Sequence, residues 1–434
     1  MAQPPEDPGA SLLAQLSPLA EVSNAFQAEL AGSALLAGAY IRAESPEQRG
    51  DVVTRFGQEL VRVFSQAPAQ PTLVALAGLS ALLPEPHKLH AARAMQAMAR
   101  NVPRAPQWLW HLGRVHCTGA WRLQDLYGDL VQYLGLFEYN GGADAGPEHV
   151  VAVRVDRNFG VILQAELYAP GRPLVDSARR AGGADGVSFE EIEPGAFRAD
   201  VSEAMERTDD LPYPPGGEDY ARQWSLIRAR LATLPGNAPP SRPMPLSNFG
   251  RHDLACEFAD SPEGVIDTPQ GQLPRDVVIG AAREAIDYAV EVNSGEPLRW
   301  SPTTARIFLL HWMPRLSGTD PEVASWLPEV LDRFVTYAGR VTGLPEAAVE
   351  ATRRTIAECS ARYTEAMHNK VVQDAIEAGA QADVPENPSD IIAAMRADGV
   401  DPENEEAARA WLTGYYQRRA DEDPRNPGPQ GRGN

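Results

Sequence analysis

Hydrophobic residues recur every three to four positions along most of the chain, and this period predicts a mainly helical protein. The run from Val52 to Phe64 shows it clearly, because its apolar side chains fall on one face of a helix that Pro68 would end. The same period extends through the N-terminal region. We therefore predict an N-terminal helical domain over residues 11–104.

The period changes to two in the next region, where apolar and polar residues alternate in three successive runs. These runs cover residues 131–139, 151–155 and 161–167, and turns rich in glycine, asparagine and aspartate separate them. Alternation with such turns is typical of an antiparallel meander. We expect about three strands inside an α+β domain over residues 105–234, with helices after the last strand.

A proline-rich stretch, PGNAPPSRPMP at residues 235–245, predicts a linker to a C-terminal helical domain over residues 246–382. Residues 383–419 then fit a small helical hairpin on a tether. The two ends of the chain, residues 1–10 and 420–434, have the composition of disordered segments. The predicted fold class is therefore mainly α with an embedded α+β unit, in a multi-domain chain.

The charge and the cysteines narrow the classes of function. The formal net charge is −20, which repels nucleic acid and anionic membranes, and no basic patch interrupts it. No run of about twenty apolar residues is present to span a bilayer. The N-terminus lacks the basic residues of a signal peptide, and the three cysteines form no CxxC pair. These features predict a cytoplasmic protein without a nucleic-acid or membrane partner.

Several stretches of the chain are distinctive: GAWR with DLYGD, EHVVAVRVDRNFG, FADSPEG, SPTTARIFLLHWMPR and LPEVLDRFVTYAGRVTGLP. In these stretches the chain resembles a group of uncharacterised intracellular actinobacterial proteins of similar length. The resemblance covers roughly residues 70–365. It implies a source and a compartment, and it assigns no activity and no role to any residue.

The segment GRVHCTGAWRLQDLYGD supplies the candidate catalytic residues, His116, Asp125 and Asp129. If WRLQDLYGDL is helical, the two aspartates share a face and could bind a divalent cation together with His116 or Glu138. The chain would then be a metal-assisted hydrolase. If the segment is a turn, Asp125 caps it and Asp129 accepts hydrogen bonds from backbone donors. Both interpretations are open at this point.

No cofactor and no resident metal are expected from the motifs. The chain has no GxxxxGK[ST] loop, no GxGxxG after a strand and no CxxC pair. His116 and Cys117 point to opposite faces if their segment is extended, so they are not expected to act as base and nucleophile.

The predicted C-terminal hairpin supplies the candidate partner-binding residues, which are Met395, Val400, Trp411, Leu412, Tyr415 and Tyr416. An amphipathic element on a tether docks either on its own body or on another protein, and both alternatives are open. The leading hypothesis is a protein-interaction or regulatory protein that acts by binding a protein partner or forms a homo-oligomer. The hydrolase is the second hypothesis. A nucleic-acid-binding protein, which would need arginines gathered by folding, is the third.

Overall fold

The computed structural model describes most of the chain between residues 16 and 382, and four residues beyond it. The described residues are 16–101, 105–183, 186–236, 238–240, 244–293, 295–316 and 319–382, with Asp398, Val400, Ala407 and Trp411. The hairpin predicted over residues 383–419 therefore lies outside them, apart from those four positions.

The chain forms two compact units, and each is assembled from separate stretches of sequence. The first unit takes the chain up to Asp253 together with Ile286–Ser301 and Val341–Leu344. The second takes Leu254–Ala285, Pro302–Arg340 and the chain from Pro345 onward. The domain boundaries that the sequence suggests stay predictions.

The first unit begins with four helices. They are α1 (Ala25–Ile41), α2 (Arg49–Ser65), α3 (Gln70–Leu82) and α4 (His87–Ala99). Asn24 caps the start of α1, because its side chain accepts a hydrogen bond from the backbone N–H of Gln27 at 3.0 Å. A Cβ on Gly78 of α3 would lie 2.3 Å from the carbonyl oxygen of Ala28. A glycine at this position therefore allows the two helices to pack closely.

A five-stranded antiparallel sheet follows in the first unit. Its strands are β1 (Val115–Gln124), β2 (Leu130–Tyr139), β3 (His149–Asp156), β4 (Val161–Tyr168) and β5 (Ser188–Ile192), and their order in the sheet is β4-β3-β2-β1-β5. The mainly α fold with an embedded α+β unit is confirmed, and β2, β3 and β4 are the three alternating runs. The number of strands is five rather than about three, because β1 and β5 extend the meander on one side.

The two faces of the sheet carry different cores. One face directs Tyr133, Phe137 and Val153 into the larger core, which also contains residues of α1, α3 and the two helices α6 (Pro194–Asp209) and α7 (Gly217–Leu231). The opposite face carries Leu134 and Val150 into a smaller core under helix α5 (Arg172–Ala181). Alternate residues of one strand thus serve two hydrophobic clusters.

The remaining elements fill the region that was predicted to be helical. They are α8 (Asn248–Ala259), α9 (Arg275–Glu291), α10 (Pro302–Ile307), α11 (Pro321–Thr342) and α12 (Glu346–Ala382), with a short ribbon of β6 (Asp267–Thr268) and β7 (Gly271–Gln272). Within the second unit, Phe258 packs edge-on against Phe334 and Tyr337. Among the described helices, none has the length and apolar character needed to cross a bilayer.

Candidate functional site

Asp125 lies in the tight turn between β1 and β2, and its carboxylate binds the backbone of that turn. Oδ1 accepts hydrogen bonds from the N–H groups of Tyr127 at 3.1 Å and Asp129 at 2.9 Å. Oδ2 accepts one from Leu130 at 3.1 Å. The segment is a hairpin turn and not a helix, so the two aspartates do not share a helical face.

Asp129 forms an ion pair with a buried arginine. Its Oδ1 accepts a hydrogen bond from Nη1 of Arg299 at 2.5 Å, and the two side chains are 14% and 7% exposed. Arg299 also donates to Oδ1 of Asn158 at 3.3 Å. The carboxylate of Asp129 therefore neutralises a guanidinium that is almost fully removed from water.

His116 lies near the opposite end of β1, where its Nδ1 is 2.9 Å from Oδ1 of Asn140. Asp125 lies nine positions further along the chain, which corresponds to about 30 Å of extended strand. The structure therefore does not bring His116 together with the two aspartates. Among the residues that the structure describes, no three histidine, cysteine, aspartate or glutamate side chains are placed to hold one metal ion.

One stretch of β1 has a strand neighbour on one side only. Strand β2 pairs with β1 from Val115 to Gln124, whereas β5 pairs only with Ala120–Gln124. In the described part of the chain, no strand lies beside Val115–Gly119 on the side away from β2. We call these five residues the open edge.

The hydrogen bonds between β1 and β2 determine which way the backbone groups of the open edge point. The N–H of Asn140, next after β2, donates to the C=O of Arg114 at 2.9 Å, so Arg114 faces β2. Backbone groups alternate in direction along an antiparallel strand. The N–H and C=O groups of Val115 and Cys117 therefore point away from β2, and no backbone partner is found for them among the described residues. The open edge presents donors and acceptors to an incoming strand.

A groove of about 320 Å³ continues from the open edge along the line of β5. It is lined by Cys117, Thr118, Gly119, Ala120, Glu191, Ile192, Glu193 and Pro194. The groove exists because β5 ends at Ile192 and the chain turns into α6 at Pro194. Its volume lies at the low end of the range for ligand pockets. An extended segment could therefore occupy the line along which β5 stops.

The two sides of the groove differ in polarity. Cys117 and Ile192 pack against the larger core, so this side is apolar. Glu191 is in register with Trp121 of the smaller core, and Glu193 follows two residues later. Both carboxylates are exposed, and neither forms an ion pair with a described residue. Sequence reasoning missed this groove, since the short run SFEEI lacks the alternation that identifies a strand.

Cys117 is held as a thiol rather than as a nucleophile. Its Sγ–H donates to the carbonyl oxygen of Gly119 at 3.3 Å. Burial raises the pKa of the Cys117 thiol above its ordinary value. The side chain therefore contributes an apolar surface to the groove.

A second polar cluster, the buried network, consists of Glu29, Tyr139, His149 and Arg230, all within the first unit. Nη2 of Arg230 donates to Glu29 and, at 3.0 Å, to the hydroxyl of Tyr139. Nε of Arg230 donates to Nε2 of His149 at 2.9 Å, so the proton of the neutral ring lies on Nδ1 and is donated to the carbonyl of Pro147 at 3.1 Å.

The electrostatics of the buried network follow from its burial. Burial and the charge of Arg230 lower the pKa of His149 to about 3. Burial and the neighbouring Glu29 raise the pKa of Tyr139. The side chains of Glu29 and Arg230 are 0% and 1% exposed. A ligand has no access to this network, which holds α1 and α7 on the sheet.

The predicted partner-binding residues fall mostly outside the described residues. Met395, Leu412, Tyr415 and Tyr416 are not among them. Val400 and Trp411 are, and Nε1 of Trp411 donates to Oδ2 of Asp398 at 2.8 Å.

No protein-family model, no curated protein and no solved structure matches this chain.

Proposed function

We propose that the protein is a cytoplasmic interaction protein, and that it binds a partner protein by adding an extended segment of that partner to the open edge. The observation that carries the proposal is the unpaired run of Val115–Gly119 beside a groove. Addition of a strand to a sheet edge gains affinity from main-chain hydrogen bonds and specificity from pockets for alternate side chains.

The local shape of β1 supports a short and selective site. Proteins normally cover, bulge or charge their sheet edges, because an open edge pairs with any extended chain. Here the edge is limited to five residues because β5 pairs with β1 from Ala120 onward, and the register shift between Cys117 and Gly119 makes the edge irregular. The exposed Glu191 and Glu193 lie next to it. The register shift and the two glutamates favour binding of one short partner segment over unspecific pairing with any extended chain.

Further parts of the proposal rest on the sequence. The actinobacterial source, the multi-domain organisation and a homo-oligomeric state stay predictions. The hydrogen bond between Trp411 and Asp398 joins the two predicted helices of the hairpin. It supports the prediction that these two helices lie side by side. That the hairpin is a second interaction surface, on its own body or on a partner, stays a prediction.

Site-specific photo-crosslinking in the native host tests the proposed function. A benzophenone amino acid placed at the exposed position 118 of the open edge should give one discrete adduct. The crosslinked partner peptide should map to one short segment. The matched control is the exposed position 164 on β4, the strand at the other edge of the same sheet. The proposal is wrong if position 118 gives no adduct, or if both positions give the same adducts.

A further inference from the structure

We infer that the segment bound by the open edge alternates apolar residues with lysine or arginine. This inference rests on the proposed function and names the chemistry of its partner. It follows from the length of the edge, the polarity of the two sides of the groove, and the unpaired carboxylates.

The length of the open edge sets the length of the segment. Five residues of strand span about 17 Å, so only four to six residues of a partner can pair with Val115–Gly119. Because side chains alternate in an extended chain, every second residue of that segment faces the side of Cys117 and Ile192. This side packs on the larger core and favours valine, isoleucine or leucine.

The intervening residues of the segment face the side of Glu191 and Glu193. These carboxylates have no ion-pair partner among the described residues. Of the arginines of α5, Arg172 is bound to Glu148 at 2.8 Å, and Arg179 lies over the ring of Phe189 and pairs with Asp176 at 3.7 Å. Lysine or arginine in the incoming segment would satisfy the two glutamates, whereas an acidic segment would be repelled. A second copy of this chain is disfavoured as the occupant, because it would bring its own Glu191 and Glu193 to the same sheet.

Two synthetic peptides test the inference on the full-length protein. One has seven residues with valine alternating with lysine, and the other has glutamate in place of each lysine. We expect the valine–lysine peptide to bind, with an affinity that falls as salt is added, and the valine–glutamate peptide to bind at least about tenfold more weakly.

Two double variants test whether Glu191 and Glu193 cause the preference for a basic peptide. Glu191→Lys with Glu193→Lys should lower the affinity for the valine–lysine peptide by about tenfold or more. The matched control is Glu358→Lys with Glu365→Lys, which makes the same change in net charge at exposed positions of α12. It should leave the affinity within about twofold, because it changes the net charge equally and leaves the two carboxylates of the groove in place.

The outcomes separate the inference from the proposed function. If both peptides bind equally and protect the amides of Val115 and Cys117 from hydrogen exchange, the edge is a binding site and the basic preference is wrong. If neither peptide binds, both the inference and the proposed function are wrong. If the free protein is a dimer whose open edge is already protected, the occupant is a second copy and the inference is overturned.

Discussion

Replacing Glu29 with glutamine is expected to lower the free energy of unfolding by about 3–5 kcal/mol. Arg230 is fully buried in the first unit, and its guanidinium donates to Glu29, Tyr139 and His149. Glutamine keeps the shape of Glu29 but leaves the positive charge of Arg230 without a counter-charge in a low-dielectric core. Removing one partner of a buried pair costs far more than the pair contributes, because the other charge stays desolvated.

Urea unfolding of matched variants checks this prediction. Glu59→Gln removes the partner of Arg62 in an ion pair whose side chains are both 63% exposed, and it should cost less than about 1 kcal/mol. Replacing Glu29 and Arg230 together with leucine should cost less than Glu29→Gln alone, since no charge then stays buried. Equal losses for Glu29→Gln and Glu59→Gln would contradict the buried network.

Acidification is expected to destabilise the first unit through His149. The pKa of this side chain is about 3 in the folded protein and about 6.5 in an unfolded chain. Between these two values the unfolded state binds a proton that the folded state does not. The free energy of unfolding therefore falls by about 1.4 kcal/mol for each pH unit below 6.5, and this loss ends near pH 3.

The contribution of His149 can be separated from that of the carboxylates by substitution. Glutamine at this position can still accept a hydrogen bond from Nε of Arg230, but it does not titrate. Between pH 4 and 6, the free energy of unfolding should then fall less steeply with decreasing pH than in the wild type. The difference in slope should be about 1.4 kcal/mol per pH unit, which corresponds to one bound proton. His116→Gln, at an exposed position, is the control and should leave the slope unchanged. Parallel curves for wild type and His149→Gln would show that the ring is accessible to protons.

Strands β2, β3 and β4 were predictable because they are apolar runs separated by segments rich in turn residues. In β3, Val151, Val153 and Val155 enter the larger core, and Val150 and Ala152 enter the smaller one. Strand β1 has a register shift at Cys117–Gly119, which breaks the alternation. In β5 two adjacent glutamates replace the expected pattern. The open edge arises because β5 is shorter than β1. Since both strands lack regular alternation, the sequence pattern did not predict the edge.

The polar clusters were not predictable for a different reason. Glu29 and Arg230 are 201 residues apart, and each occupies a helix where a charged residue normally faces water. Nothing local marks them as a buried pair. For Asp125 and Asp129, the spacing of four residues fits one turn of helix as well as a hairpin turn, and Gly128 with φ of +68° belongs to the turn. Tertiary pairing with β5 and β2 decides between the two.

The open edge is the central claim, and amide hydrogen exchange on the full-length protein tests it most directly. The N–H groups of Val115 and Cys117 should exchange rapidly in the free protein and become protected when the valine–lysine peptide is added. The N–H of His116 faces β2 and serves as the internal control, because it should exchange slowly in both states. Slow exchange of Val115 and Cys117 in the free protein would mean that the edge is already paired, and it would contradict the proposed binding site.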